Sequence, residues 1–349
     1  MENKFSNIDV DYQINKLKVQ GLIITDDIKA KNILHEYGYS NLIKSYRDPY
    51  VFRNEHGELK FRDGVTFEQV CSLYTLDKSL RGAVISAMLD FEEYIKTAAA
   101  NVIASAFGVH QNDYLKFSNY HDKKKKKERF QLKSLINILN ANLASSKEPI
   151  HHYADRYGII PPWILFKSVY FSTIVNLIDQ FKPREQIKLV YQVYPSNMHL
   201  NENALRKLMI DTMYVANEYR NLSAHGGRIY NHDSSYNVRW DEIWGKGAPI
   251  TTGFAKLLLL LSLVGHRTPY KSLHKTLDEE VNRHCSMFPQ DATYLGQILK
   301  MNIEHHQYVY VKGNKYHSNP YCSGLKNSIQ LDLEEAKLKN LNPCKKCVR

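Results

Sequence analysis

Residues 66–107 read TFEQVCSLYTLDKSLRGAVISAMLDFEEYIKTAAANVIASAF. Phe67, Val70, Leu73, Tyr74, Leu76 and Leu80 recur at three- and four-residue steps, the spacing that lines one face of a helix, and the pattern continues through Val84 to about Phe107. Gly82 lies inside it and argues against a single unbroken rod, because glycine loses more backbone freedom in a helix than other residues. Upstream, VFRNEHGELKF (51–61) reads as two short strands turning at Glu-His-Gly. Still earlier, Leu22, Ile23, Ile24, Ile28, Ile33 and Leu34 predict helix within residues 18 to about 44, with Thr25 as N-cap before Asp26 and Asp27. Downstream, HDKKKKKERF (121–130) is a basic run expected to enter a helix through Leu132, Leu135, Ile136 and Leu139. Pro161 and Pro162 then open WILFKSVYFSTIVNLIDQF (163–181), read as one strongly apolar helix. Two more helices are predicted over 201–219 and 252–264. The fold class is mainly α.

Hydrophobic residues make up 43% of the 349, and the net charge is +11. That much Leu, Ile, Val and Tyr excludes a disordered chain, while the excess of Lys and Arg favours phosphate-rich partners. The first residues are polar, with none of the apolar run of a secretion signal, and the longest apolar run, 257–264, is far short of the ~20 residues that span a bilayer. No membrane association and a cytoplasmic location are therefore expected, and five cysteines in such a setting do not suggest disulfides. Cys71 and Cys285 read as buried thiols. The length suggests a large domain over 1–300 and a small one over 306–349.

EYRNLSAHGGRIYN (218–231) carries the chemistry. Arg220 and His225 would be about 140° apart on an ideal helix, so they converge only if the helix ends between them, as Gly226 and Gly227 suggest. Cleavage of RNA without a metal needs such a pair. Histidine can take the proton of a 2′-hydroxyl near neutral pH, and the arginine fork can hold two phosphate oxygens, with Asn221 orienting the histidine or donating to the phosphate. A bare R-x4-H is more simply a helix-end arginine and a satisfied histidine. Lys123, Lys124, Lys125, Lys126 and Lys127 read first as a solvated segment and second as a patch that neutralises an RNA backbone.

The longer pattern R-N-x-x-A-H-x-x-R-x-Y-N resembles the signature of the Abi family (AbiD/AbiF-like) within the HEPN superfamily. GLIITDDIKAKNILHEYGYSNLIKSY (21–46), FRDGVTFEQVCSLYTLDKSLRGAVISAMLDFEEYIKTAAANVIASAFG (61–108) and PPWILFKSVYFSTIVNLIDQF (161–181) resemble that family's successive blocks, over roughly residues 15–265. The resemblance implies a HEPN-type helical bundle with helical additions, and an antiphage abortive-infection toxin acting as a metal-independent endoribonuclease. Arg220 and His225 would be the catalytic pair, Asn221 its support and Arg228 a phosphate contact. It further implies RNA as substrate, a homodimer in the active form that completes a composite site, and control by a bound small non-coding RNA. The alternative is a non-catalytic RNA-binding regulator or scaffold in phage defence. A zinc-dependent nuclease or DNA-binding repressor ranks below both, because no open metal site with paired carboxylates is visible.

The C-terminal stretch 308–349 begins with a predicted hairpin turning at Lys312-Gly313-Asn314 and has room for a short helix at Leu333–Leu338. His317, Cys322, Cys344 and Cys347 suit a closed tetrahedral zinc site, structural because no position is left for water. The rival reading is a redox C-x-x-C or unliganded thiols. The segment resembles a small metal-binding tail of varied bacterial nucleases and uptake proteins, and Lys326, Lys337, Lys339, Lys345 and Lys346 make it basic.

Overall fold

The computed structural model describes residues 9–248, 250–303, 308–318, 322, 325 and 328–348. Lys326 and residues 306–307 of the expected small domain lie outside the described residues. The protein is mainly helical, with small sheets, the larger near the C-terminus.

Helix α1, Val10–Val19, is capped by Asp9 and was not legible as a separate element. Helix α2 spans Asp27–Tyr37. Its cap is Asp26, which accepts the Lys29 N–H at 2.9 Å, one residue beyond the predicted Thr25. A carboxylate at that position also meets the positive end of the helix. Gly38, at φ +78°, ends α2 and a π-type turn follows over Ser40–Lys44. Strands β1 (Val51–Arg53) and β2 (Leu59–Phe61) form the expected antiparallel hairpin, its turn held by Asn54 Oδ1 accepting the His56 and Glu58 N–H groups.

Helix α3, Phe67–Phe107, is unbroken over 41 residues. Gly82 does not interrupt it. Leu80 and Val84 on either side are fully buried, and their burial outweighs the roughly 1 kcal/mol cost of a mid-helix glycine. After α4 (Gln111–Tyr114), helix α5 (Leu132–Leu143) buries Leu132, Leu135, Ile136 and Leu139 as the sequence implied, and residues 121–127 lead toward it as loop, outside any helix, through a 3₁₀ turn over Glu128–Phe130. The cause is competition for hydrogen bonds. The Lys123 N–H donates to Gln180 Oε1 at 2.8 Å, and the Lys123 and Lys125 ammonium groups both bond Asp179.

Past α6 (Ile150–Tyr157), the single helix predicted over 163–181 is two pieces, α7 (Pro162–Leu165) and α8 (Phe171–Asp179). Val169 and Tyr170 between them are extended, and the Val169 carbonyl accepts from Lys96 Nζ at 2.7 Å instead of from a helical N–H. The chain continues through α9 (Pro183–Val193), α10 (Glu202–Ala224), α11 (Trp240–Trp244), α12 (Gly253–Leu263), α13 (Thr268–Met287) and α14 (Ala292–Leu299). Strands β3 (Tyr308–Lys312), β4 (Lys315–His317), β5 (Ile329–Asp332) and β6 (Asn342–Pro343) form a sheet in the order β5-β3-β4-β6, with helix α15 at Leu333–Leu338 as predicted. The β3–β4 hairpin turns at Gly313, as the sequence implied.

Two compact units result, one from Met1–Ser79, Leu277–Gln297 and Met301–Arg349, the other from Leu80–Thr276 and Ile298–Lys300. The first contains a buried polar knot in which Asp291 accepts from Tyr50 Oη, Gln69 Nε2 and His284 Nε2 at 2.7–2.9 Å. The second packs α8, α9 and α12 against α10, with Ile174, Val175, Leu177, Leu208, Met213 and Ala216 fully buried. Among the described residues no helix is long and apolar enough to cross a membrane.

Candidate functional site

Helix α10 starts at Asn201, whose side chain accepts the Ala204 N–H at 2.9 Å, and runs to Ala224, five residues past the predicted end at Tyr219. Arg220 and Asn221 are therefore helical, and His225 is the first residue beyond. The stop is a Schellman motif. Gly226 N–H bonds the Ser223 carbonyl at 3.2 Å and Gly227 N–H bonds the Leu222 carbonyl at 2.9 Å, which uses carbonyls the helix leaves without partners. Gly226 takes φ +72°, and a Cβ on Gly227 would lie 2.1 Å from Leu222 Cδ1, so both glycines have a physical reason. Arg81 Nη1 caps the turn at the Gly226 carbonyl, 2.9 Å away.

The predicted site residues fall out as follows. Arg220 and Asn221 meet, Nη1 to Oδ1 at 3.4 Å. Arg220 Nε lies 3.5 Å from Glu92 Oε2, while Glu92 Oε1 accepts Lys96 Nζ at 2.7 Å. The 3.5 Å contact is an electrostatic pair without hydrogen-bond alignment, and both atoms are buried and otherwise unpartnered among the described residues. His225 is exposed, and no hydrogen bond joins it to Arg220 among the described residues; only its backbone N–H is engaged, by the Asn221 carbonyl at 3.1 Å. Arg228 is half-buried just past the turn. Of the lysine run, Lys123 and Lys125 are committed to Asp179 and Lys124 lies 3.2 Å from Asp122. Lys126 and Lys127 are exposed and make no ion pair among the described residues.

Residues the motif reading left unassigned hold this region in place. Glu218, two positions before Arg220, accepts from His232 Nε2, Ser234 Oγ, Ser235 N–H and Ser235 Oγ at 2.9–3.0 Å. Burial pushes its carboxyl up, but those donors outweigh it and hold the group at about 2. Tyr219 Oη adds a bond to the His232 carbonyl at 2.9 Å. Asp211, fully buried, grips Arg239 through both carboxylate oxygens at 2.6–3.1 Å and accepts the Arg239 N–H at 2.9 Å. A run such as HDSS after the glycines was the one available signal, since an acid on the adjoining helix could satisfy its donors. A Ser72–His284–Asp291 line in the first unit, with both links at 2.9 Å, has the order of a hydrolase relay. It is buried throughout and Ser72 Oγ also accepts from Arg283, which fits a structural tie.

His317, Cys322, Cys344 and Cys347 converge, with one ligand atom from each lying within 4.8 Å of the others. Cys322 Sγ is 3.9 Å from Cys344 Sγ, and Cys347 Sγ is 3.5 Å from His317 Nδ1. Tetrahedral zinc with Zn–S of about 2.3 Å and Zn–N of about 2.0 Å places two sulfurs ~3.8 Å apart and a sulfur and a nitrogen ~3.5 Å apart. The residues fit a metal. The fit is built locally: the Cys344 N–H bonds the Tyr316 carbonyl beside His317 at 2.9 Å, and the Lys346 N–H leads the hydrogen bonds that lower the Cys344 thiol.

Comparison with curated proteins and with solved structures finds no match. A family model described as Abi-like protein matches residues 32–231, more than half of the chain, and covers α3, α8 and α10 through the Arg220–His225 turn. On that match, the chain belongs to the Abi-like protein family.

Proposed function

We propose that this chain acts in abortive infection, a phage-defence role the family suggests, as a metal-independent endoribonuclease of HEPN type. The observation that carries the reading is the end of α10, where an exposed imidazole whose ring makes no hydrogen bond among the described residues follows Arg220 and Asn221 at a built helix stop. His225 takes the proton of a 2′-hydroxyl, and the freed oxygen attacks phosphorus. The bond to the 5′-oxygen breaks, a proton is returned to that oxygen, and a cyclic phosphate remains. Arg220, with the Asn221 amide beside it, offsets the charge that gathers on the phosphate.

Because no hydrogen bond joins Arg220 and His225 within one chain among the described residues, two copies contributing to one site is the arrangement that suits them, and a bound small RNA is a fitting restraint for a +11 protein. The C-terminal cluster holds structural zinc, which supplies fold stability and no step of cleavage. The Glu92 contact on Arg220 favours a second reading, RNA binding without cleavage, because it occupies the guanidinium. RNA cleavage by the purified protein in the presence of chelator separates the two. His225→Ala and Arg220→Ala are each expected to lower the rate about 10²- to 10⁴-fold with the fold intact. Undiminished cleavage by both variants removes the site, and no cleavage by the parent leaves the binding reading.

A further inference from the structure

Beside Asn221, the second unit holds an open cavity of about 370 Å³, a size suited to one small ligand. Its polar side is a stripe of α10. Tyr214, Asn217 and Asn221 follow one another at steps of three and four and so share a helix face. Leu135 and Ile138 of α5 give an apolar wall, and Lys127, Arg129 and Phe130 complete the lining.

The chemistry of these groups is uneven in a telling way. Tyr214 is fixed, its hydroxyl donating to Asn176 Oδ1 at 3.0 Å and its ring stacked on Tyr236 at 4.8 Å. The Asn217 amide makes no hydrogen bond among the described residues, and Asn221 has only the long 3.4 Å contact from Arg220. Two half-buried amides thus offer donors and acceptors to something else. Arg129 lies over the Phe130 ring at 4.6 Å, and both Arg129 and Lys127 are exposed without an ion pair among the described residues. An aromatic edge and apolar wall suit the flat face of a base, amides suit its edge, and two free cations suit the phosphates that flank it. A paired strand keeps its bases stacked away from such a cavity.

We propose that the cavity is a nucleobase subsite: it takes one unstacked base of single-stranded RNA, with Asn217 and Asn221 reading its edge and Lys127 and Arg129 holding adjoining phosphates. The proposal rests on the ribonuclease reading, since it states how that same site selects its substrate.

The test uses the full His225→Ala chain and an about 12-nucleotide single-stranded RNA carrying 4-thiouridine. Crosslinks mapped by mass spectrometry are expected on the peptides containing Phe130 or Tyr214, and Asn217→Leu is expected to weaken binding about tenfold. Should Asn217→Leu fail to fold, Asn217→Asp keeps the shape and replaces the donor by a repelling charge. Crosslinks confined to other segments, or a folded Asn217 variant that binds as tightly as its parent, overturn the subsite. Cleavage by the unmutated protein with crosslinks elsewhere sinks the subsite alone. Crosslinks in the cavity with no cleavage by the unmutated protein sink the nuclease reading alone.

Discussion

His225 owes its position to residues that carry no chemistry. Glu218 binds the segment after the glycines with four hydrogen bonds, and its depressed carboxyl makes that hold depend on pH. A folded value of about 2 against an ordinary 4.5 means the folded state favours the ionised form. The stabilisation is therefore fully present above about pH 4.5 and is lost as pH falls toward 2. Melting temperatures measured from pH 6 to pH 2.5 should fall for the parent, and more shallowly for Glu218→Gln, which starts lower at pH 6; parallel curves would contradict this. The helix end that carries Arg220, Asn221 and His225 and the convergence of His317, Cys322, Cys344 and Cys347 were legible because their spacing is local. Glu92 was not, since its partner Arg220 is more than a hundred positions away and only packing brings the two together.

At the scale of elements, the sequence showed α10, α12, the α3 pattern and both hairpins, because caps, glycine stops and apolar spacing are local signals. It misled where a tertiary bond replaced a helical one, as at the Val169 carbonyl, taken by Lys96. Helices α1, α9 and α13 were missed because their apolar stripes are thin and interrupted by charge. Burial pushes the Asp179 carboxyl up, but Lys123 and Lys125 outweigh it and hold the group below the ordinary range. Asp179→Asn leaves two lysines without their carboxylate and should cost about 1–3 kcal/mol. Limited trypsin digestion is then expected to cut within residues 121–130 several-fold faster than in the parent, and equal rates would show that the segment is held by other contacts.

Over the whole molecule, the two compact units do not follow sequence order, since the first is assembled from three separate stretches of chain. No composition shift marks such an arrangement, whereas the His/Cys cluster that could hold a metal was visible because its four residues fall within 31 positions, His317 to Cys347. If zinc supplies the stability of the β3–β6 sheet, prolonged chelation should release about one zinc per chain. Hydrogen exchange over residues 308–348 should then rise while the helical signal of the chain and its RNA cleavage persist. A sheet as protected as before would mean that it folds without metal.

The bridging of Lys123 and Lys125 by one aspartate also changes how the basic run is to be counted. An ammonium already neutralised by a carboxylate expels no salt ions from an arriving polynucleotide. One carboxylate offsets only one of the two ammonium charges, so beside Lys126, Lys127 and Arg129 the Asp179 cluster keeps one net positive charge for phosphate. The ionic-strength dependence of a single-stranded polyanion bound there would reflect about four charges, giving a log–log slope near −3 where the six cations of the written sequence imply about −4.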